Sequence, residues 1–225
     1  MVKGVAIMSN DQNAAKDENL RFFGKVIASI SHELKNVMAI INEKAGLLHD
    51  LTLMAQKGMA LDVNRIQSIA DDVQSQIKRG DTIVKNMNKF AHSVDEETAQ
   101  INLSELTVLM ATLSERTASR LGVTLTVKPA QTGPVIRTRP FLLELMIWKC
   151  IQIAMERCGE AKTVNISLEK KGHHAQLIFI IQNNRLKQNL PMDDISWLTQ
   201  MLQADLTINP QGSQLILSLP DSLTG

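Results

Sequence analysis

Residues 29–36 read Ser-Ile-Ser-His-Glu-Leu-Lys-Asn, which sets His32 beside Glu33, with Lys35 and Asn36 three and four positions further on. A neutral imidazole is a nucleophile and a base, and its adducts split one group transfer into two reversible steps. That chemistry needs an accessible ring. Ile27, Ile30, Leu34, Val37, Ile41, Leu48 and Leu51 recur mostly three or four apart, the seam of a packed amphipathic helix. With Ile27 to Ile41 written as alternating a and d positions, His32 falls at f, the position that points most directly into water. Asn36 shares its neighbourhood at i+4. Taken alone, Glu33 reads equally as a solvated surface carboxylate, and Lys35 as an ordinary surface lysine.

The elements that must hold this stretch follow from the same periodicity. Residues 1 to about 16 are polar and mixed, and read as a flexible tail. A first helix is expected from about Lys16 to Gln56, with a break at Gly58. A second is expected from about Asp62 to Val94, its seam drawn through Ile66, Ala70, Val73, Ile77, Val84, Met87 and Ala91. Two such helices form an antiparallel hairpin, and each covers only one side of the other's apolar stripe. A second copy would complete a dimeric four-helix bundle; the alternative is that the hairpin packs on the C-terminal half of its own chain. The expected domains are therefore a tail at 1–16, a hairpin at 17–96 and an α/β domain at 97–225.

Ser93 to Gln100 reads as the linker. Beyond it come a short strand at 101–103 and a helix from about Ser104 to Arg120, capped by Ser104. A strand at 121–127, a loop from Pro129 to Pro134 and a helix from Phe141 to about Arg157 follow. A hairpin turns around Lys171-Gly172, a short helix runs from Ser196 to about Ala204, and a closing hairpin turns at Pro210–Gly212. The sum is α+β: a long helical hairpin, then helices laid on one face of a mixed sheet.

Composition removes several classes of function. The chain has 225 residues, 44% hydrophobic and 21% charged, with a net charge of +1. This is a globular balance with no basic surplus for nucleic acid. No tyrosine, five phenylalanines and two tryptophans offer little for stacking bases. Cys150 and Cys158 lack the spacing of a zinc site or a disulfide framework, and read as buried thiols of a reducing compartment. His173-His174 reads as a turn surface, with no third metal ligand nearby. No apolar run is long enough to span a bilayer, and a cytoplasmic location is expected.

Ser31-His32-Glu33-Leu34-Lys35-Asn36 resembles the H-box of two-component sensor histidine kinases, His-Glu-hydrophobic-x-Asn/Thr-Pro, with Val37 in place of the usual proline. The second helix, ending in Ile83-Val84-Lys85-Asn86-Met87-Asn88-Lys89-Phe90-Ala91, is similar to the family's as well. The resemblance implies that His32 carries phosphate, that Glu33 orients the imidazole or accepts its proton, that Lys35 neutralises phosphoryl oxygens, and that Asn36 can hold a hydrolytic water. It also implies a homodimer. A receiver domain would dock beside His32, on apolar residues off the seam: Met38, Ala39 and Phe22 or Phe23.

The order of elements over 101–220 resembles the family's ATP-binding domain, without its nucleotide motifs. The helix Leu145 to Ala154 carries no asparagine for magnesium. Gln182-Asn183-Asn184-Arg185-Leu186 stands where the family has Asp-x-Gly-x-Gly, and only about fourteen residues separate Ile181 from Ser196, leaving no room for a nucleotide lid. The resemblance narrows accordingly to dimeric histidine phosphotransferases of phosphorelays, kinase-like along residues 17–222. Such a chain binds no cofactor itself; the magnesium comes with the partner receiver. Its expected partners are a second copy, response-regulator receiver domains and a hybrid histidine kinase, with no nucleic acid and no membrane. The alternatives are a divergent histidine kinase or receiver phosphatase, and a non-catalytic protein that sequesters a kinase or receiver.

Overall fold

The computed structural model describes residues 2–128, 133–182, 186 and 195–223, of which 2–15 as backbone alone. The residues form two compact units, Phe23–Ala91, and Met1–Phe22 together with His92–Gly225.

Helix α1 spans Val2–Gln56 and α2 spans Val63–Ala91. The expected tail is thus helical from Val2. A run of 55 residues without proline or a capping stop gives the helix no reason to end within it. The turn comes where expected, at Gly58 with φ +85°, a conformation that carries no Cβ penalty there. Asp62 then accepts from the backbone N–H groups of Asn64 and Arg65 at 3.0 and 3.2 Å and starts α2.

Inside the hairpin one heptad row of α1 faces α2: Phe23, Ile30, Val37, Lys44 and Leu51. Phe23 stacks on Phe90 with ring centroids 5.4 Å apart. Gly80 leaves room for Val37, whose Cγ1 would lie 3.5 Å from a Cβ at that glycine. Lys44 Nζ meets Asp72 at 2.6 Å, a hydrogen bond that raises the lysine's pKa above its ordinary value. These three pairs fix an antiparallel register. The inward row of α2 is Ile69, Gln76, Ile83 and Phe90, of which all but Gln76 are buried. Part of the seam expected for α2, namely Ala70, Ile77, Val84 and Ala91, lies one position from this row, so Ile77 and Val84 remain 50% and 39% exposed. On α1 the a-row residues Ile27, Leu34, Ile41 and Leu48 are only half-buried.

The second unit has a closed core. After a 3-10 turn at His92–Val94, strand β1 (Ala99–Asn102) leads into α3 (Leu103–Leu121). The helix is capped by Asn102, whose side chain accepts from Ser104 N–H and Glu105 N–H, rather than by Ser104. Strands β2 (Thr124–Val127) and β3 (Val135–Thr138) precede α4 (Pro140–Arg157). Then follow β4 (Thr163–Lys171), β5 (His174–Ile181), α5 (Ser196–Leu202), β6 (Asp205–Ile208) and β7 (Gln214–Pro220). Strand β3 is an addition to the sequence reading; its four residues pair antiparallel with β1.

The main sheet runs β2-β4-β5-β7-β6, with β2 parallel to β4 and the remaining neighbours antiparallel. Along β7, Leu215, Leu217 and Leu219 alternate inward with half-buried residues outward, the period of a strand with one packed face. Against that face lies α4, apolar nearly all round, with Leu143, Leu145, Met146, Ile147, Cys150, Ile151 and Ala154 sealed from water. The fold is α+β, a helical hairpin and an α/β sandwich.

Candidate functional site

Helix α1 presents His32 on the side away from its own packed row: the ring is exposed and makes no hydrogen bond or ion pair with any described residue. Interpolating between the Phe23–Phe90 and Val37–Gly80 pairs places it level with about Ile83 on α2. Lys35 and Asn36, also exposed, lie one turn along the same strip, where three- and four-residue spacings bring side chains together. Glu33 does not join them. It sits half-buried on the shoulder of the helix, a neighbour in sequence that faces away by about 100°. The strip thus offers an imidazole with free lone-pair access, a cation and an amide, all in water, where an incoming partner can supply the remaining groups.

Val37 is buried at 2% and packs toward Gly80. The residue standing where the H-box has proline is therefore a packing residue of the hairpin. Of the apolar residues expected around the histidine, Met38 is 64% exposed and Ala39 is exposed. The phenylalanines differ from expectation. Phe22 is 1% exposed, with ring centroids 5.6 Å from Phe141 and 5.2 Å from Trp148, while Phe23 is half-buried on Phe90. Aromatic rings bury too much apolar area to remain in water when a partner ring lies within reach.

Helix α4 carries no asparagine, and two of its polar side chains, Lys149 and Glu144, are held by other groups. Lys149 pairs with Glu18, which also accepts from Trp197 Nε1 at 3.3 Å. Glu144 is buried; its carboxyl hydrogen-bonds with the Ser93 side chain, and Oε2 has no partner among the described residues. Burial pushes its pKa up to about 8, against the smaller opposing effect of Ser93. Cys150 is likewise raised by burial, to about 12, and is an inert thiol. Among the described residues no three His, Cys, Asp or Glu side chains gather to hold a metal. Of the Gln182–Leu186 stretch, Asn183 to Arg185 lie outside the described residues, as do 187–194 and 129–132 of the two expected loops. No helix is long and apolar enough to cross a membrane among the described residues.

Sequence reasoning passed over Glu144, Glu18 and the pair Arg137 and Arg139. Glu144 had a signal, a single acid in the otherwise apolar run Phe141 to Ile147. Glu18 had none, because its partner Lys149 is distant in sequence.

No protein-family model matches the chain, and no curated protein matches it. Solved structures do align. The catalytic domain of histidine kinase ThkA covers 57% of this chain and 100% of its own, at 13% identity and a TM-score of 0.47. The Acinetobacter baumannii histidine kinase AdeS covers 84% of this chain and 98% of its own, at 13% identity and 0.45. A bacterial phosphotransferase covers 88% and 95%, at 8% identity and 0.45. These are similarities to the proteins named, at scores that by themselves assign no family.

Proposed function

We propose that this chain is a histidine phosphotransferase of a phosphorelay, which takes a phosphoryl group from the aspartate of one response-regulator receiver and passes it to another. The observation that carries the reading is His32 itself, exposed on the outward row of a rigid helix within the sequence His-Glu-Leu-Lys-Asn. In the forward step the lone pair of neutral His32 Nε2 attacks phosphorus in line. The N–P bond forms as the P–O bond to the receiver aspartate breaks, and the carboxylate leaves with the electron pair. Attack by the Nδ1–H tautomer leaves the ring cationic until that proton is lost to water or to a carboxylate such as Glu33, which would have to swing toward the ring. Lys35 would offset charge on the phosphoryl oxygens, and Asn36 stands where it could hold a water. The magnesium is the receiver's.

The half-buried a row of α1 and the exposed Ile77 and Val84 of α2 support a homodimer, since a second hairpin would bury them. Loading from a receiver rather than from ATP is supported by the sequence, which lacks the glycine motifs and the asparagine of a nucleotide site, and by the partners already taken by Lys149 and Glu144 on α4.

The test is to incubate the purified chain separately with labelled Mg-ATP and with a labelled phospho-receiver. Label is expected from the receiver alone, acid-labile and absent in His32→Ala. Label that persists in His32→Ala would sink the phosphotransferase reading; label from ATP would make the chain a divergent kinase.

A further inference from the structure

On β3 the residues alternate, with Ile136 and Thr138 buried and Arg137 and Arg139 on the opposite face. The extended conformation continues through Arg139, at φ −88° and ψ 106°, so both guanidiniums rise from one side of the small sheet. They line an open cavity of about 340 Å³ whose other polar walls are Thr98, Gln200 and Gln203, at the C-terminal end of α5. Among the described residues no acidic side chain lines it.

The two charges are weakly satisfied. Arg137 Nη2 donates to Thr98 Oγ1 at 3.1 Å, and its cross-strand neighbour is the neutral Gln100. Arg139 reaches Glu97 at 3.3 Å and the carbonyl of Met201 at 3.4 Å, long contacts for a charged donor, and its Nε is shut from water without a partner among the described residues. Two like charges two residues apart on one strand face repel each other, and the single carboxylate of Glu97 offsets only one of them.

We propose that this cavity binds a small phosphorylated molecule, with its phosphate held between the guanidiniums of Arg137 and Arg139. The planar fork of arginine presents paired N–H donors matched to two phosphate oxygens. The amide of Gln200 can donate a further hydrogen bond. The volume, within the range of small-molecule sites, leaves space for the rest of the ligand beside the phosphate. A molecule bound there would bridge β3 to the end of α5. The site is independent of His32 and of any phosphoryl transfer.

Inorganic phosphate is the probe. The full chain is titrated at constant ionic strength with chloride as the balancing ion, and the arginine Nε–Hε resonances are followed by NMR. Saturable shifts with a millimolar or tighter Kd are expected. Arg137→Gln should weaken binding at least tenfold and Arg137→Lys less, since it keeps the charge and loses the fork. Lys57→Gln, an exposed lysine of the α1–α2 turn, should leave Kd unchanged. Shifts that do not saturate, equal loss on Lys57→Gln, or wild-type affinity in Arg137→Gln would each overturn the proposal.

Discussion

Strand β7 and helix α2 carry similar apolar stripes to different ends. In β7, Leu215, Leu217 and Leu219 are all sealed by helices of the same unit. In α2 the inward row is sealed, but Ile77 and Val84, one position over, are left facing water. A sheet with one packed face needs a single layer of helix to finish it, and α4 is apolar enough to supply that layer. A helix in a two-membered hairpin has an apolar stripe wider than one neighbour can cover. The packed face of the sheet is thus closed within its own unit, whereas part of the hairpin's stripe stays open, and that part is what the proposed dimer would cover.

The sharpest way to break that comparison is to truncate a large side chain in each place. Phe179→Ala in β5 removes a ring with 0% exposure and should cost ~3–5 kcal/mol in denaturant unfolding. Ile77→Ala should cost under about 1 kcal/mol at high dilution, and its penalty should grow with protein concentration as a dimer forms. If both costs were equal and independent of concentration, the hairpin would already be complete.

The same contrast explains how much could be read beforehand. Periodicity identified nearly every helix and strand, because α4 and β7 each declare their burial in their own pattern. It took Ala70, Ile77, Val84 and Ala91 as inward where Ile69, Gln76, Ile83 and Phe90 pack, because both rows flank Ile66, Val73 and Met87, and only the Phe23–Phe90 stack and the Gly80–Val37 contact decide between them. Strand β3 was missed because four residues between Pro134 and Pro140 carry too few periods to stand out. The exposure of His32 and the neighbouring place of Asn36 were legible from spacing alone, whereas Lys35 came with the motif. Glu33 was carried over from a motif, and its half-buried shoulder position depends on which row of α1 packs. The burial of Phe22 rests on Phe141 and Trp148, residues that no local pattern connects to it.

Glu144 sharpens the comparison from the completed side, since a closed core raises the cost of a charge within it. Its folded pKa of about 8 lies above the ordinary 4.5, so between those values the native chain holds a proton that the unfolded chain has lost. Its stabilising contribution is therefore full below pH 4.5 and disappears as pH rises through about 8. Stability should fall by up to about 5 kcal/mol across that window. Glu144→Gln keeps the shape without the charge, and should flatten the slope and stabilise the chain above pH 8. An unchanged slope in urea titrations of the variant would show that Glu144 ionises without difficulty.

The smallest effect tests how closely the two helices of the hairpin approach. Gly80 lies in the interior of α2, where glycine is about 1 kcal/mol less favourable than alanine. A Cβ added there would meet only Val37 Cγ1, at 3.5 Å, an ordinary van der Waals separation. Gly80→Ala should therefore stabilise the chain by ~0.5–1 kcal/mol, through reduced freedom of the unfolded backbone and one added contact. The sign is informative. A gain in both monomer and dimer means that the separation at Val37 persists when the open rows are covered. A gain in the monomer with a loss in the dimer means that association draws α2 closer to α1, at the turn of helix that follows His32. Unfolding midpoints of wild type and variant, measured at two concentrations spanning dimer formation, distinguish these outcomes.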